Sequence, residues 1–310
     1  MPSKPLSRNQ WLLIVNPASA NGSTGRHWSH NEPLLRSLLP PFEAWQTAYP
    51  GHARELAQKA AGIGFPVIAV HGGDGTVNEV VNGLLSYSAS HCTLALLPHG
   101  TGADLVRTLG ISHSLAKAAQ KANQAQVRAI DIGQVDFTDL EGRPAQRYFL
   151  NVTDVGFGGE LVRYVNSRSK ILGGKLTFLQ GLLATLFRYE NKTIRLTLDG
   201  GPPADLRASS VVVANGQYFG GGMWVAPQAD LRDGRFEIVV VGDVSRREIL
   251  TNTGRLYRGT ISGHPKVTTA TAQTLILDSE EEALIDLDGE LVGRLPARFQ
   301  ILPKKLPVIC

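Results

Sequence analysis

The chain has 310 residues, 43% of them hydrophobic, and a formal net charge of +4. That length suffices for two ordinary domains, and the composition is that of a folded globular protein. The mild positive balance argues against a nucleic-acid binder and suits contact with an anionic surface.

Residues 1–10 carry charge but no apolar core of the kind a signal peptide needs. No apolar run reaches the ~18 residues of a spanning helix. Two cysteines, Cys92 and Cys310, make no disulfide framework and suit a reducing compartment. The expectation is a cytoplasmic protein whose membrane contact is peripheral.

In chain order, residues 11–15 read as a strand, followed by the loop Asn16-Pro17-Ala18-Ser19-Ala20. Residues 55–61 have helical composition. The apolar run 67–70 reads as a buried strand, and the glycine loop His71-Gly72-Gly73-Asp74-Gly75 follows it. Val77, Val80, Val81 and Leu84 then recur on one face of a helix, with Thr76-Val77-Asn78-Glu79 as a capping box at its start. Strand, glycine loop and capped helix present backbone N–H groups and a positive dipole end to an anion, with phosphate the natural choice. Asp74, among the glycines, is placed to hold a divalent cation beside that phosphate. Residues 93–97 form another strand, followed by Pro98-His99-Gly100-Thr101-Gly102. The alternation predicts an α/β domain with a doubly wound parallel sheet, and three loops at its carboxyl edge predict a nucleotide pocket.

After residue 130 strand-like runs crowd together at 129–135, 148–152, 193–198, 209–214, 235–241, 273–277 and 283–286. They predict a mainly antiparallel β domain, interrupted by one helical stretch at 170–187. The expected division is 1–130 for nucleotide binding and 131–295 for the substrate, with the proline-bearing tail 296–310 returning to the first domain.

Five segments occur in order: Asn16-Pro17-x-Ser19, Gly72-Gly73-Asp74-Gly75-Thr76-x-Asn78-Glu79, Pro98-x-Gly100-Thr101-Gly102-x-Asp104, Asp230-Leu231-Arg232-Asp233-Gly234 and Asp288-Gly289-Glu290. Together they resemble the diacylglycerol kinase catalytic family, specifically the soluble bacterial lipid kinases, over nearly the whole chain. The Gly-Gly-Asp-Gly-Thr segment alone is shared with NAD kinases and phosphofructokinases; the later segments separate the lipid kinases from them. The resemblance implies a phosphofructokinase-like domain that binds ATP and a β-sandwich that carries the catalytic carboxylate, with ATP in a cleft between them. Two positions depart from the family's pattern: Ala103 stands where an asparagine is usual, and Ala20 where a glycine often follows the serine.

No Walker sequence is present, so the phosphates fall to backbone amides of residues 73–76 and to hydroxyls. The expected nucleotide contacts are Asn16, Pro17, Ala18, Ser19, Ala20, Thr47, Gly72, Gly73, Asp74, Gly75, Thr76, Val77, Asn78, Glu79, Gly100 and Thr101. Glu79 reads equally as a capping-box residue and as a nucleotide residue. The resemblance implies that Asp74 serves the catalytic Mg²⁺ and that Asp288 is the general base; on residues alone, Asp288-Gly289 reads as a plain hairpin turn. It also implies a second Mg²⁺ site, made by Asp233 with the main-chain carbonyls of Asp230 and Arg235. The helical stretch 170–187 reads either as core or as a lip for a lipid tail, with Arg163, Arg168, Lys170, Lys175 and Arg188 facing headgroups or simply solvated. The expected activity is ATP- and Mg²⁺-dependent phosphorylation of a lipid hydroxyl, diacylglycerol first. The alternatives are an NAD kinase-like enzyme and a non-catalytic nucleotide- or lipid-binding regulator. The expected partners are a lipid substrate at the membrane surface and a second copy in a homodimer, with no nucleic acid.

Overall fold

The computed structural model describes residues 10–87, 92–99, 102–124, 126–166, 181 and 184–310. The chain divides into two compact units, the first reaching Ile130 and including Lys304–Cys310, the second spanning Asp131–Pro303.

In the first unit strands β1 (Trp11–Val15), β2 (Phe42–Gln46), β3 (Val67–Gly72) and β4 (Thr93–Pro98) alternate with helices α1 (Ser23–Leu38), α2 (His52–Ile63), α3 (Asp74–Leu85), α4 (Asp104–Thr108) and α5 (Leu115–Asn123). All pairings are parallel, in the order β4-β3-β1-β2, and the chain's last strand adds Val308 and Ile309 beside Leu94 and Ala95 of β4. β1 is buried throughout. Helices lie against both faces of a parallel sheet, and this explains its continuous apolar run. Gly83, in mid-α3, has no room for a Cβ against the carbonyl of Arg54, so its missing side chain lets α2 and α3 pack closely. That gain offsets the ~1 kcal/mol a helical glycine costs.

The second unit is mostly antiparallel. β5 (Val127–Asp139) pairs with β6 (Pro144–Phe149), and β7 (Val152–Gly156) leads into α6 (Phe157–Asn166). β8 (Lys192–Leu198), β9 (Ala204–Ala208) and β10 (Ser210–Ala214) follow, then the short pair β11 (Tyr218–Phe219) and β12 (Met223–Trp224). β13 (Phe236–Val241), α7 (Arg246–Arg258), β14 (Val267–Ala272), β15 (Thr274–Asp278), β16 (Leu284–Leu287) and β17 (Glu290–Ile309) complete it. One run of neighbours is β14-β13-β10-β7-β16-β17, and β9-β8-β15 joins β17 from another side. Phe149, Phe236, Phe299, Val155, Ile285 and Leu287 share one core cluster. On β10, Val211 and Val213 enter that cluster while Val212 and Ala214 enter a second one on the opposite face. The period-2 geometry of a strand sends neighbours to opposite faces, so an unbroken valine run marks a strand covered on both sides.

Three sequence expectations change. The run 148–152 is split, because Leu150 and Asn151 leave the ladder between β6 and β7. Among the described residues the β domain holds two further α-helices, α6 and α7. Of the helix expected at 170–187, only 181 and 184–187 are among the described residues, and Arg168, Lys170 and Lys175 lie outside them.

Candidate active site

The carboxyl edge of the parallel sheet is organised by Asn16, the first residue after β1. Its Nδ2 donates to Thr76 Oγ1 (2.8 Å), and its Oδ1 accepts from Thr47 Oγ1 (3.2 Å) and from the Ala18 amide (3.0 Å). One side chain therefore ties together the ends of β1 and β2 and the start of α3. The Ser19 hydroxyl donates to the Asn16 carbonyl (2.8 Å). Ala20 and Asn21 have φ of 52° and 54°, a left-handed bend that turns the loop back into α1. Pro17 lies under Gly25, whose amide donates to the Pro17 carbonyl (3.0 Å).

The expected glycine loop is shorter than the sequence suggests. Gly72 ends β3, Gly73 alone makes the turn, and Asp74 and Gly75 already belong to α3. The helical ladder starts where the Val77 amide donates to the Gly73 carbonyl (3.2 Å). The amides of Asp74, Gly75 and Thr76 thus have no partner within the helix. A Cβ on Gly72 would stand 2.8 Å from Thr76 Oγ1, whereas a Cβ on Gly73 would meet nothing within 4 Å. Gly72 is required by packing inside the protein. Gly73, at φ −93°, is required by neither packing nor backbone conformation.

The capping box does not form, because Thr76 lies within the first turn instead of preceding the helix. Glu79 instead accepts from the amides of Gly51 (2.9 Å) and Ala53 (3.1 Å), and so caps α2 from α3. Val77 and Asn78 are buried on α3, where Asn78 accepts from Asn82 Nδ2 (3.0 Å). Their side chains are occupied inside the unit.

Asp74 faces the second glycine loop. Its carboxylate accepts from the Asp104 amide (3.2 Å) at the start of α4, and a Cβ on Gly102 would stand 2.8 Å from its Oδ2. Burial, then the Asp104 carboxylate, push its pKa up, against the backbone amides of residues 103–105. Two acids held this close favour a cation beside them. Asp104 is in turn paired with Arg107 (2.8 Å). Gly100 and Thr101 lie outside the described residues. Beneath the edge, His71 is fully buried and burial lowers its pKa to about 4. The neutral ring donates from Nδ1 to the Leu97 carbonyl (3.0 Å), tying the end of β3 to β4.

In the second unit Asp288 has φ 49° at the tight turn between β16 and β17. Its Oδ2 accepts from the Leu150 amide (2.9 Å), and its Oδ1 from the amides of Asn151 and Val152 (both 3.0 Å). This is why residues 150 and 151 leave the ladder: their amides turn toward Asp288. Glu290, next but one, is half exposed and pairs through Oε2 with Arg147 (2.9 Å).

The segment Asp230–Arg235 is held from below by Asp131, whose Oδ2 accepts from the Gly234 amide (2.7 Å). Asp233 Oδ1 accepts from the Arg235 amide (2.9 Å), and the Asp233 amide approaches the Asp230 carbonyl (3.4 Å). Burial raises the Asp233 pKa, and the Asp230 and Asp131 charges add to it. One carboxylate and adjacent carbonyl oxygens are the donor chemistry of a hard cation, and the raised pKa is what such a cation would relieve. Among the described residues no group of three or more His, Cys, Asp or Glu side chains is placed to hold a metal ion; the expected set relies on main-chain oxygens. Asn215 links this segment to the Asp288 turn. Its Nδ2 donates to the carbonyls of Asp131 (3.0 Å) and Leu150 (2.7 Å). Neither Asp131 nor Asn215 stands out in the sequence, although a lone aspartate between Ile130 and Ile132 in an apolar strand is a signal.

Close by, Asp154 of β7 and Asp286 of β16 face each other in register. Both are buried, and Oδ1 of each has no hydrogen-bond partner among the described residues. Burial raises the Asp154 pKa to about 7, against the Ser210 hydroxyl and the Gly158 amide. Asp286 is pushed well up by burial and then by Asp154.

Residues 10–135 match the family described as the diacylglycerol kinase catalytic domain. Residues 151–310 match the family described as the YegS C-terminal NAD kinase beta sandwich-like domain. A protein named diacylglycerol kinase from Bacillus subtilis (strain 168) is 29% identical over 306 residues, covering 96% of this chain and 95% of its own. A protein named probable lipid kinase YegS-like from Yersinia enterocolitica is 26% identical over 309 residues, covering 96% and 97%. A crystal structure of a diacylglycerol kinase from Bacillus anthracis str. Sterne is similar with a TM-score of 0.71 at 25% identity, over 97% of this chain and 96% of that one. Another structure from the same organism gives a TM-score of 0.76 at 27% identity, with the same coverage.

Proposed function

The chain belongs to the lipid kinase family that joins a diacylglycerol kinase catalytic domain to a YegS-type β-sandwich, and from that premise we propose that it transfers the γ-phosphoryl group of ATP to the hydroxyl of a membrane lipid, diacylglycerol or a relative. The observation that carries the reading is Gly73. Nothing within the fold calls for glycine there, but a phosphate seated on the N-terminal amides of α3 needs the space a side chain would fill.

In this reading the amides of Gly73 to Thr76 bind the phosphates, and Asn16, Ser19, Thr47 and Thr76 form the polar edge around them. Asp74 would hold Mg²⁺ beside the phosphates, directly or through water. Mg²⁺, when bound, supplies neutralisation of the charge on the transferring group. Asp233, with the carbonyls of Asp230 and Arg235, would hold a second Mg²⁺, whose charge would offset the carboxylates of the segment tied to the Asp288 turn. Both oxygens of Asp288 are engaged by three amides, which suits a positioning residue better than a base. Glu290 has only Oε2 in an ion pair. The proton-accepting role therefore moves to Glu290, and Asp288 holds the turn that presents it. The lipid hydroxyl gives its proton to Glu290, its oxygen bonds to the γ-phosphorus, and the bond to the β-phosphate oxygen breaks to release ADP.

The test is incubation of the protein with ATP, Mg²⁺ and a mixed lipid extract, with products identified by mass spectrometry. A phosphorylated lipid that disappears without Mg²⁺ is the expected result. Binding of ATP with no phosphorylated lipid across a broad panel would replace the enzyme by a regulator.

A further inference from the structure

α7 is an amphipathic helix that the catalytic reading leaves unused. It begins at a complete capping box, in which Ser245 and Glu248 satisfy each other's amides, and ends at Gly259 with φ 67°. No residue in it is buried. At about 3.6 residues per turn, Ile249 and Leu256 fall on one side, and Leu256 packs against the second core cluster. Leu250 and Tyr257 fall on the other side, 49% and 53% exposed. Arg246 lies along that same outer face, and Arg247 and Arg258 border it. Glu248, the helix's single acid, points away and is paired with Lys266 (2.9 Å). None of Arg246, Arg247 and Arg258 has an ion-pair partner among the described residues.

Beside the start of α7 lies a groove of about 550 Å³, lined by Phe157, Leu186, Val244 and Ile249 together with Arg246 and Arg247. Its lining combines apolar carbon with three cations, Lys266 being the third, and one acid, Asp243, which Asn191 and Arg207 engage. Phe187, which follows Leu186, is 64% exposed. On α7 two exposed apolar side chains are framed by arginines that have no ion-pair partner among the described residues, with the helix's acid on another side; bulk water disfavours that arrangement and an anionic bilayer surface rewards it. The apolar centre sets it apart from a solvated basic face, which has nothing to insert.

We propose that the outer face of α7 docks this chain onto an anionic lipid surface, Leu250 and Tyr257 entering the headgroup layer and the three arginines meeting lipid phosphates. The inference rests on the lipid kinase reading for its purpose, since such an enzyme must take its acceptor from a membrane, but not for its geometry.

The experiment is co-sedimentation of the full chain with vesicles of phosphatidylcholine alone and of phosphatidylcholine mixed with phosphatidylglycerol. Binding to the mixed vesicles, weakened by salt, is expected. The triple variant Arg246→Gln/Arg247→Gln/Arg258→Gln should lose roughly fivefold per arginine, on the order of a hundredfold in all. Leu250→Ser/Tyr257→Ser should weaken binding at high salt, where the electrostatic part is screened. All five positions are exposed, so unchanged melting curves accompany these losses. Turnover on detergent-dispersed lipid should stay at the wild-type level while turnover on vesicles falls. Equal binding of wild type and triple variant overturns the proposal, as does equal binding to neutral vesicles. A stable dimer that the triple variant dissolves into monomers also overturns it, by giving the face to a second copy. Arginine-dependent vesicle binding without any lipid phosphorylation upholds the docking face and refutes the kinase reading.

Discussion

The sheet edge of the first unit and the Asp288 turn of the second solve opposite problems. In the proposed function the edge presents unpaired donors to an anion, with backbone from one short stretch, Gly73 to Thr76. The turn must fix a carboxylate, and it does so with groups far apart in sequence: the amides of residues 150–152, the Asn215 amide group and Asp131. A binding site made of local backbone tolerates side-chain change where nothing packs against it. A site made of converging tertiary hydrogen bonds does not, because each buried donor left without an acceptor costs about 1–3 kcal/mol.

The comparison breaks most visibly at Glu290. If Glu290 is the base and Asp288 its support, Glu290→Gln lowers kcat by roughly 10²–10⁴-fold, the typical general-base range. Nucleotide affinity, measured by calorimetry, stays near the wild-type value, because the proposed phosphate cradle belongs to the other unit. Full turnover in this variant would return the role to another carboxylate.

The next largest effect is pH-dependent and belongs to Asp154. Its folded pKa of about 7 lies above the usual carboxylate value because burial penalises the charge. The folded state therefore binds the extra proton, and its stability relative to unfolded chain falls as pH rises from about 4 to about 7. Each tenfold difference in proton affinity between the folded and unfolded carboxyl is worth about 1.4 kcal/mol. Asp154→Asn should therefore be the more stable protein at pH 8 by about 2–4 kcal/mol and equal to wild type near pH 4. Urea unfolding at the two pH values measures the difference; parallel pH curves for the two proteins would remove the buried charge as its cause.

How much of this is legible in the sequence follows from the same contrast. The parallel order, the β-rich second half and the glycine turn before α3 are readable because valine periodicity and clustered glycines act locally. The start of α3 reads too late because Asp74 and Gly75 look like loop residues, although a first helical turn accepts both. The role of Glu79 is hidden because its partners are the amides of Gly51 and Ala53, on another helix. α6 is obscured by its Gly158-Gly159 pair, which fits closely over Asp154 and Leu284. α7 escapes the sequence reading although Ser245-x-x-Glu248 is an intact capping box and a readable signal. Asn215 gives no signal and Asp131 only that of a lone acid in an apolar strand, since what they do lies in long-range hydrogen bonds.

A smaller effect is expected at Asp288. Its φ of 49° is one asparagine tolerates, so the backbone of Asp288→Asn is not at issue. The amide group, however, offers one acceptor oxygen where three N–H groups now meet two, and its NH₂ points donors at donors. Thermal or urea unfolding should show a loss of about 1–3 kcal/mol, and turnover should fall because the Glu290 turn shifts. A variant with wild-type stability and sharply reduced turnover would make Asp288 a catalytic residue after all.

The smallest change is the most discriminating, because its two readouts move in opposite directions. Gly73 has φ −93° and open space where a Cβ would stand. Alanine fits there without strain, and it reduces the freedom of the unfolded chain, so Gly73→Ala should gain up to about 0.4–1 kcal/mol of stability. The same methyl group occupies the space over the first amides of α3. A phosphate held off by it loses a charge-assisted hydrogen bond, and ATP affinity should drop by roughly tenfold or more. A local-backbone site predicts this pairing of higher melting temperature with weaker nucleotide binding. A loss of stability would mean that Gly73 serves the fold, as Gly72 does. Unchanged affinity would mean that the phosphates sit elsewhere on the edge, and the reading of Asn16, Thr47 and Thr76 as its rim would fall with it.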